Sequence, residues 1–229
     1  MSISSRVHTI QQLIETTAQE TGRNPQDIQL LAVSKNQSVH AIEEAFDAGI
    51  RNFGENYLQE ALNKINALDS KPIIWHFIGA IQSKKTLDIA QRFDWVHSVD
   101  REKTAFLLSK HRPENKPAIN LCIQINLDNE KNKAGVCASD LYDLVKIISP
   151  LPNIKLRGLM AIPAPQQDVE AQYQSLLRLS SLLHKMNQDL QLNLDTLSMG
   201  MSDDLTAAIR AGSTIVRIGR AIFGERHAV

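Results

Sequence analysis

Eight short apolar runs recur along the sequence, and a helical pattern follows each of them. The runs are residues 30–35, 52–54, 73–78, 95–99, 121–125, 156–160, 196–198 and 214–218. A strand that is apolar on both faces is typical of a parallel sheet covered by helices. Eight strand and helix units close a (β/α)8 barrel, and 229 residues match the usual size of one. Another helical pattern, with Ile3, Val7, Ile10 and Ile14 on one face, precedes the first strand.

The sequence therefore predicts an α/β protein, a single (β/α)8 TIM barrel with an extra amino-terminal helix. No linker rich in proline, glycine or serine, internal repeat or low-complexity tract divides the chain, so residues 1–229 are expected to form one domain. A doubly wound open sheet has the same alternation of elements. It stays as the alternative fold, because a pattern of strands cannot show that the sheet closes.

The composition excludes several classes of protein. The 25 basic side chains balance 25 acidic ones, so no broad basic surface for nucleic acid or an anionic membrane is expected. Cys122 and Cys137 are too few for a disulfide framework and fit a reducing compartment. No run approaches the ~18 apolar residues of a membrane helix, and polar His8, Gln11 and Glu15 lie where a signal peptide is apolar. We expect a cytoplasmic protein.

Lys35 ends the apolar run that forms the first predicted strand. In α/β barrels and open α/β sheets, ligands bind at the carboxyl ends of the strands. A partly desolvated lysine there has its charged form disfavoured, so its amine becomes a better nucleophile toward carbonyl groups. Lys35 is therefore predicted to form a Schiff base. The alternative is a lysine that packs its stem on the apolar surface and extends its ammonium to water.

Two stretches that contain glycine run from the ends of the last two predicted strands into the loops that follow, Ser198–Ser202 and Arg217–Arg220. Glycine allows a ligand to approach the backbone, and the start of the next helix offers unpaired N–H groups that suit an anion. The loops after strands seven and eight are where α/β barrels often hold a phosphate. Each loop alone also fits an ordinary helix start or turn.

Asp203 and Asp204 argue against a phosphate at these loops. We expect both in the first turn of the helix that follows Ser202, where they favour the helix dipole but repel an anion. Arg217 and Arg220 could offset their charge. Alternatively, the two carboxylates point outward and solvent screens them.

A lysine opposite two phosphate-binding loops fits pyridoxal 5'-phosphate (PLP). Its aldehyde condenses with an amine while its phosphate is held elsewhere in the site. Sugar-phosphate aldolases use similar parts, so the residues alone leave two classes of ligand open.

Several motifs resemble the pyridoxal phosphate homeostasis protein family, in matching order from about residue 6 to 226. They are Ala32–Lys35, Phe53–Tyr57, Trp75–Gly79 with Gln82, Gly158–Met160, Ser198–Ser202, and Arg217–Gly219 with Phe223–Gly224. The resemblance implies a barrel of the alanine racemase N-terminal-domain type that binds PLP through Lys35.

By motif position, the resemblance implies seven cofactor-binding residues, namely Lys35, Asn56, Met199, Ser202, Arg217, Gly219 and Arg220. Asn56 is expected near the cofactor ring, and Ser202, Gly219 and Arg220 are expected to hold the phosphate. Arg217 is expected to face the pyridine nitrogen. An arginine keeps its proton, so that nitrogen stays unprotonated and the ring is a poorer sink for carbanion electrons.

No catalytic residue and no metal site is predicted. His76 and His97 fall in predicted strands without cysteine or carboxylate partners at metal-ligand spacing, so each is expected in the core or in contact with the residues that hold a ligand.

The resemblance implies a carrier that binds PLP as a Schiff base and buffers it for vitamin B6 homeostasis, with PLP-dependent apo-enzymes as partners. Two-domain alanine racemases add a tyrosine from a second domain, for which 229 residues leave no room, so a non-catalytic monomer is expected. The alternative is a PLP-dependent amino-acid racemase or Schiff-base lyase, with Lys35 as one base and Tyr57 or a histidine as the other. A regulator that acts by partner contact is a third hypothesis.

Overall fold

The strands form a closed parallel barrel in the computed structural model, which describes residues 1–128, 130 and 133–224. Neighbours along the chain pair with each other, and the last strand pairs with the first, with Leu31 opposite Arg217. The strands are β1 Gln29–Val33, β2 Asn52–Glu55, β3 Ile74–Phe77, β4 Trp95–Val99, β5 Ile119–Ile125, β6 Ile154–Ala161, β7 Thr196–Ser198 and β8 Ile215–Ile218. The predicted barrel is confirmed, and the open doubly wound sheet is wrong.

Helices follow the strands and cover the outside of the barrel. They are α1 Ile3–Glu20, α2 Val39–Asp47, α3 Leu58–Ala67, α4 Thr86–Arg92, α5 Glu102–His111, α6 Ala138–Ile148, α7 Val169–Leu190, α8 Leu205–Arg210 and α9 Arg220–Phe223. Single 3₁₀ turns lie at Pro25–Asp27 and Ser83–Lys85. Within the described ranges, none of these helices has a stretch long and apolar enough to cross a membrane.

The predicted amino-terminal helix completes the outer ring. Its partners are α2, α8 and α9, which it contacts through a face that includes Val7, Ile10 and Ile14. The helix after β8 has only four residues, so α1 fills the space that α9 leaves between α8 and α2. Arg6 Nη1 donates a hydrogen bond of 3.3 Å to the Ile222 carbonyl, which ties the two ends of the ring together.

The first strand ends two residues earlier than its apolar pattern predicts. β1 stops at Val33, although the Ser34 amide still donates to the Gly54 carbonyl at 3.0 Å. Asn36 then has a φ of 59°, in the left-handed region that asparagine tolerates better than most residues. The chain therefore turns at the end of the strand, and Lys35 lies in the turn.

The core lies between the barrel and its helices. Phe53, Phe77 and Phe93 are among its largest fully buried side chains. Phe77 and Phe93 pack edge to face with ring centroids 5.3 Å apart, a favourable geometry for aromatic pairs. This core supports the strand ends from which the candidate site is built.

Candidate functional site

A cavity of about 220 Å³ opens at the carboxyl ends of the strands. Its polar wall consists of Lys35, Asn56, Ser202, Asp203, Arg217, Gly219 and Arg220, and its apolar wall consists of Val33, Ile78, Met160, Ile162 and Met201. Six of the seven predicted cofactor-binding residues therefore line one cavity. The apolar wall was not predicted from the sequence. Four of its five members lie within the motifs given above, but a motif does not show which of its side chains face a ligand.

Met199 is the seventh predicted residue, and it does not line this cavity. Its side chain is fully buried, and its amide donates to the Ile215 carbonyl at 3.1 Å. Gly200 follows with a φ of 98°, and a Cβ there would lie 2.5 Å from the Cβ of Ala208. The chain needs glycine to pass so close to α8, and it then exposes Met201, which lines the cavity instead.

The backbone on both sides of Lys35 is anchored by polar side chains of β2 and α3. Ser34 Oγ donates to Glu55 Oε1 at 2.6 Å, and Lys64 Nζ donates to the Ser34 carbonyl at 2.7 Å. On the other side, the Asn36 amide donates to Glu60 Oε1 at 2.6 Å. The partly buried Lys35 is thus held at the end of β1 by its two neighbours.

Lys64 is the centre of this arrangement, which we name the Glu55–Lys64–Glu60 cluster. Its ammonium lies 2.8 Å from Glu55 Oε1 and 2.5 Å from Glu60 Oε1, and the side chains of Lys64 and Glu55 are buried. Burial raises the pKa of Glu55, while Lys64 opposes that shift. Glu60 and Lys64 are four residues apart on a predicted helix, which was the only sequence signal for the cluster.

Asn56 enters the cavity wall because of a glycine on the next strand end. A Cβ on Gly79 would lie 2.0 Å from the Asn56 carbonyl oxygen, so only glycine lets the two backbones pack this closely. Asn56 Oδ1 is buried and has no hydrogen-bond partner among the described residues. Buried amide oxygens are normally paired, so this atom is available to a ligand in the cavity.

Arg217 places a positive charge at the inner end of the cavity. Its Nη1 donates to the carbonyl and the hydroxyl of Ser198, and its Nη2 donates to the Ala161 carbonyl at 2.9 Å. Burial lowers the pKa of Arg217 to about 10, with nearby Asp204 opposing the shift. The guanidinium therefore stays charged at neutral pH.

The two acidic residues after Ser202 lie elsewhere than the sequence predicts. Since α8 begins at Leu205, Asp203 and Asp204 precede the helix and are not in its first turn. Asp204 Oδ1 accepts a 2.6 Å hydrogen bond from the Met201 amide and so shapes the loop. Asp203 Oδ2 lies 3.0 Å from Arg220 Nη2 at the rim, so each partly neutralises the other.

The candidate second bases of the racemase hypothesis lie outside the cavity. Tyr57 is 54% exposed and is absent from the cavity wall. His76 and His97 are buried in the barrel, as predicted for core residues. Among the described residues that line the cavity, the titratable side chains are Lys35, Asp203, Arg217 and Arg220.

Comparison with known proteins gives a consistent picture. The family model of the alanine racemase N-terminal domain matches residues 8–227. A protein from Pseudomonas aeruginosa named pyridoxal phosphate homeostasis protein is 51% identical over 98% of this chain and 96% of its own length. A protein of the same name from Vibrio cholerae is 49% identical over 98% of this chain and 97% of its own.

Among solved structures, PipY of Synechococcus elongatus PCC7942 with PLP bound superposes with a TM-score of 0.86 at 34% identity. The match covers 97% of this chain and 100% of PipY. Identity at this level over nearly the full length of both partners shows common membership and not only a shared fold. This chain belongs to the pyridoxal phosphate homeostasis protein family, within the class of barrels typified by the alanine racemase N-terminal domain.

Proposed function

We propose that this protein binds PLP in the cavity, attaches it covalently through the Lys35 amine, and carries and buffers it for vitamin B6 homeostasis. The observation that supports this most directly is that Lys35, Asn56, Arg217 and the residues of both glycine loops line one cavity. The PLP-bound relative PipY and the names of the curated relatives support the same ligand. The unit that performs this role is the single domain that we infer for residues 1–229, of which 129, 131, 132 and 225–229 lie outside the described residues.

The residues present fit the cofactor. Bound PLP supplies an aldehyde, an aromatic ring and a phosphate, and each has a suitable partner in the cavity wall. Lys35 supplies an amine, and Asn56 Oδ1 is a buried acceptor without a partner among the described residues. Ser202, Gly219 and Arg220 line the rim where the loops after β7 and β8 meet, and Arg220 adds positive charge.

Arg217 argues against transamination and other chemistry that needs a strong electron sink. Its buried guanidinium keeps its proton at neutral pH, so it can only donate toward the ring nitrogen. A ring nitrogen that stays unprotonated makes the cofactor a weaker electron sink. In addition, the described cavity wall contains no histidine or tyrosine, so it offers no evident second acid or base of the racemase kind beside Lys35.

Covalent attachment is tested with Lys35→Ala and a matched control, Lys103→Ala, which removes an exposed lysine from α5. PLP is added to each purified protein, the visible absorption spectrum is recorded, and borohydride reduction is followed by peptide mass mapping. We expect a visible band and an adduct on Lys35 in the wild type and in Lys103→Ala, and neither in Lys35→Ala. An adduct on another lysine, or no uptake of PLP by the wild type, would refute the proposal.

The carrier role is tested by incubating the PLP-loaded protein with amino acids in deuterium oxide. We expect no steady exchange of the α-proton, whereas turnover would favour the racemase or lyase. Mixing the loaded protein with a PLP-dependent apo-enzyme should restore that enzyme's activity and remove the visible band of the donor. Failure of both transfer and release would contradict the carrier role.

We further propose that the protein acts as a monomer in the cytoplasm, with PLP-dependent apo-enzymes as its recipients. The two cysteines are unpaired, which suits a reducing compartment. Sedimentation of the PLP-loaded protein at several concentrations tests the monomer.

A further inference from the structure

A series of hydrogen bonds crosses the interior of the barrel, and we name it the Arg217–Asn52 relay. Arg217 Nη1 lies 2.9 Å from Ser198 Oγ, which lies 2.7 Å from His97 Nδ1. His97 Nε2 lies 2.9 Å from His76 Nδ1, and His76 Nε2 lies 3.1 Å from Asn52 Oδ1. The relay begins at the cavity and ends at Asn52, the first residue of β2, which lines a groove at the amino ends of the strands.

Both histidines of the relay are neutral at physiological pH. Burial lowers the pKa of His76 to about 3. Burial also lowers the pKa of His97 well below its ordinary value, and His76 and the Arg217 charge add to the shift. A neutral imidazole has one donor and one acceptor nitrogen, so each ring exists as one of two tautomers, with the proton on Nδ1 or on Nε2.

The arginine sets the direction of the relay because a guanidinium can only donate. Ser198 Oγ accepts from Arg217, and its single proton then points to His97 Nδ1, the acceptor 2.7 Å away. His97 must therefore carry its proton on Nε2, which donates to His76 Nδ1.

The last step of the relay follows from the same logic. With Nδ1 accepting, His76 carries its proton on Nε2 and donates to Asn52 Oδ1. In the opposite direction, the Ser198 hydroxyl would accept from both neighbours, and its proton would have no acceptor within the relay. Asn52 would also have to turn its amide. Gln29 Nε2 lies 3.5 Å from His76 Nε2, at the outer limit of a hydrogen bond, as expected for two donors that face each other.

We propose that Ser198, His97 and His76 are positioning residues that hold the Arg217 guanidinium toward the cavity, with the proton of both histidines on Nε2. Arg217 uses three of its five N–H groups on Ser198 and Ala161 and so keeps donors for a ligand. The part of this inference that concerns PLP binding, which we call its ligand side, rests on the proposed function. The direction of the relay does not, because it is a property of the protein alone.

The direction is tested by nuclear magnetic resonance of cofactor-free protein labelled with ¹⁵N in its histidines. Two-bond ¹⁵N–¹H correlations distinguish the two neutral tautomers, and we expect the Nε2–H form for both His76 and His97. A proton on Nδ1 of either ring overturns the relay. This measurement uses the wild-type protein, so it decides the question even where a variant fails to fold.

The positioning role is tested with Ser198→Ala and a matched control, Ser213→Ala. Ser213 is an equally buried serine near β7, but its hydroxyl contacts only the backbone carbonyls of Leu197, Met199 and Ile215. Loss of the Ser198 hydroxyl should reduce the preference of His97 for the Nε2–H form about two- to tenfold. Ser213→Ala should leave it unchanged, and equal effects of the two variants would overturn the assignment.

The ligand side is tested in the Lys35→Ala background, where covalent attachment cannot mask the contribution of Arg217. We expect Ser198→Ala to raise the dissociation constant for PLP about tenfold relative to Ser213→Ala. Equal affinities would overturn the positioning role while leaving the proposed function in place. If the wild-type protein binds no PLP, the proposed function fails and the ligand side fails with it, whereas the tautomers still decide the relay.

Discussion

The Lys64 ammonium donates a 2.7 Å hydrogen bond to the carbonyl of Ser34, the residue immediately before Lys35. The same ammonium contacts Glu55 and Glu60, and Glu60 in turn accepts from the amide immediately after Lys35. A side chain on α3 therefore determines where the backbone of the cavity lysine lies.

Lys64→Met should destabilise the protein by about 3–5 kcal/mol, because it leaves the buried Glu55 carboxylate without its partner. Lys146→Met is the matched control, since Lys146 pairs with Asp143 at the surface and its loss should change the free energy of unfolding by less than about 1 kcal/mol. Urea unfolding measures both, and borohydride trapping of PLP on Lys35 should also slow in Lys64→Met. Equal stabilities of the two variants would show that the cluster does not hold the turn.

The buried histidines should make the protein less stable in mild acid. Their pKa values are lowered in the folded state, so below about pH 6.5 the unfolded chain binds more protons than the folded one. The free energy of unfolding therefore decreases as the pH is lowered. Each histidine contributes a slope of at most about 1.4 kcal/mol per pH unit, and for His76 the window extends down to about pH 3. Glu55 has a raised pKa in the folded state, so its contribution has the opposite sign: as the pH rises above the ordinary pKa of a glutamate, it lowers the free energy of unfolding.

Variants separate these contributions. His76→Asn should flatten the fall in the free energy of unfolding between about pH 7 and about pH 5. His8→Gln, which removes an exposed histidine from α1, should keep the slope of the wild type. A slope that His76→Asn leaves unchanged would mean that the ring is not buried as a neutral group.

Asp203→Asn should strengthen the binding of PLP about two- to fivefold at low salt. The carboxylate lies 3.0 Å from Arg220 at the cavity rim, so its removal frees the guanidinium and removes repulsion of the phosphate. The gain should shrink as salt is added, because both side chains are exposed to solvent. The control is Asp47→Asn, which breaks a surface pair with Lys71 away from the cavity, and an equal gain there would contradict the prediction.

Gly79→Ala should weaken PLP binding and destabilise the protein by about 1–3 kcal/mol, since the new Cβ would meet the Asn56 carbonyl oxygen at 2.0 Å. Asn56 must then leave its place in the cavity wall. Gly22→Ala is the control, because Gly22 has a φ of 68° but open space around its Cβ, so only backbone strain of about 1–2 kcal/mol is added. Binding that weakens equally in both variants would contradict this role of Gly79.

The barrel could be predicted from the sequence because each strand carries its own local signal. The bounds of β4 and β7 agree with the prediction, since their apolar runs end where the chain turns. The apolar pattern extends the first strand to Lys35, but the strand ends at Val33, where Ser34 and Asn36 are hydrogen-bonded to side chains of β2 and α3. Such contacts leave no trace in the local pattern.

The candidate site shows the same division. Lys35 follows β1 and Arg217 lies near the carboxyl end of β8, so their meeting at one end of the barrel could be inferred once the fold was known. Met199 and Met201 flank the same glycine, and only the approach of the loop to α8 decides which of them reaches the cavity. The Arg217–Asn52 relay joins five strands, and a sequence motif cannot record contacts of that kind.

The place of α1 between α8 and α2 has a consequence for synthesis on the ribosome. This helix emerges before every strand, yet its apolar face finds part of its cover only after α8 and α9 have been translated. Until then Val7, Ile10 and Ile14 lack the partners in α8 and α9, which lie about 190 to 215 residues downstream. Closure of the barrel is thus a late event, in which the first helix to be translated packs against the last two.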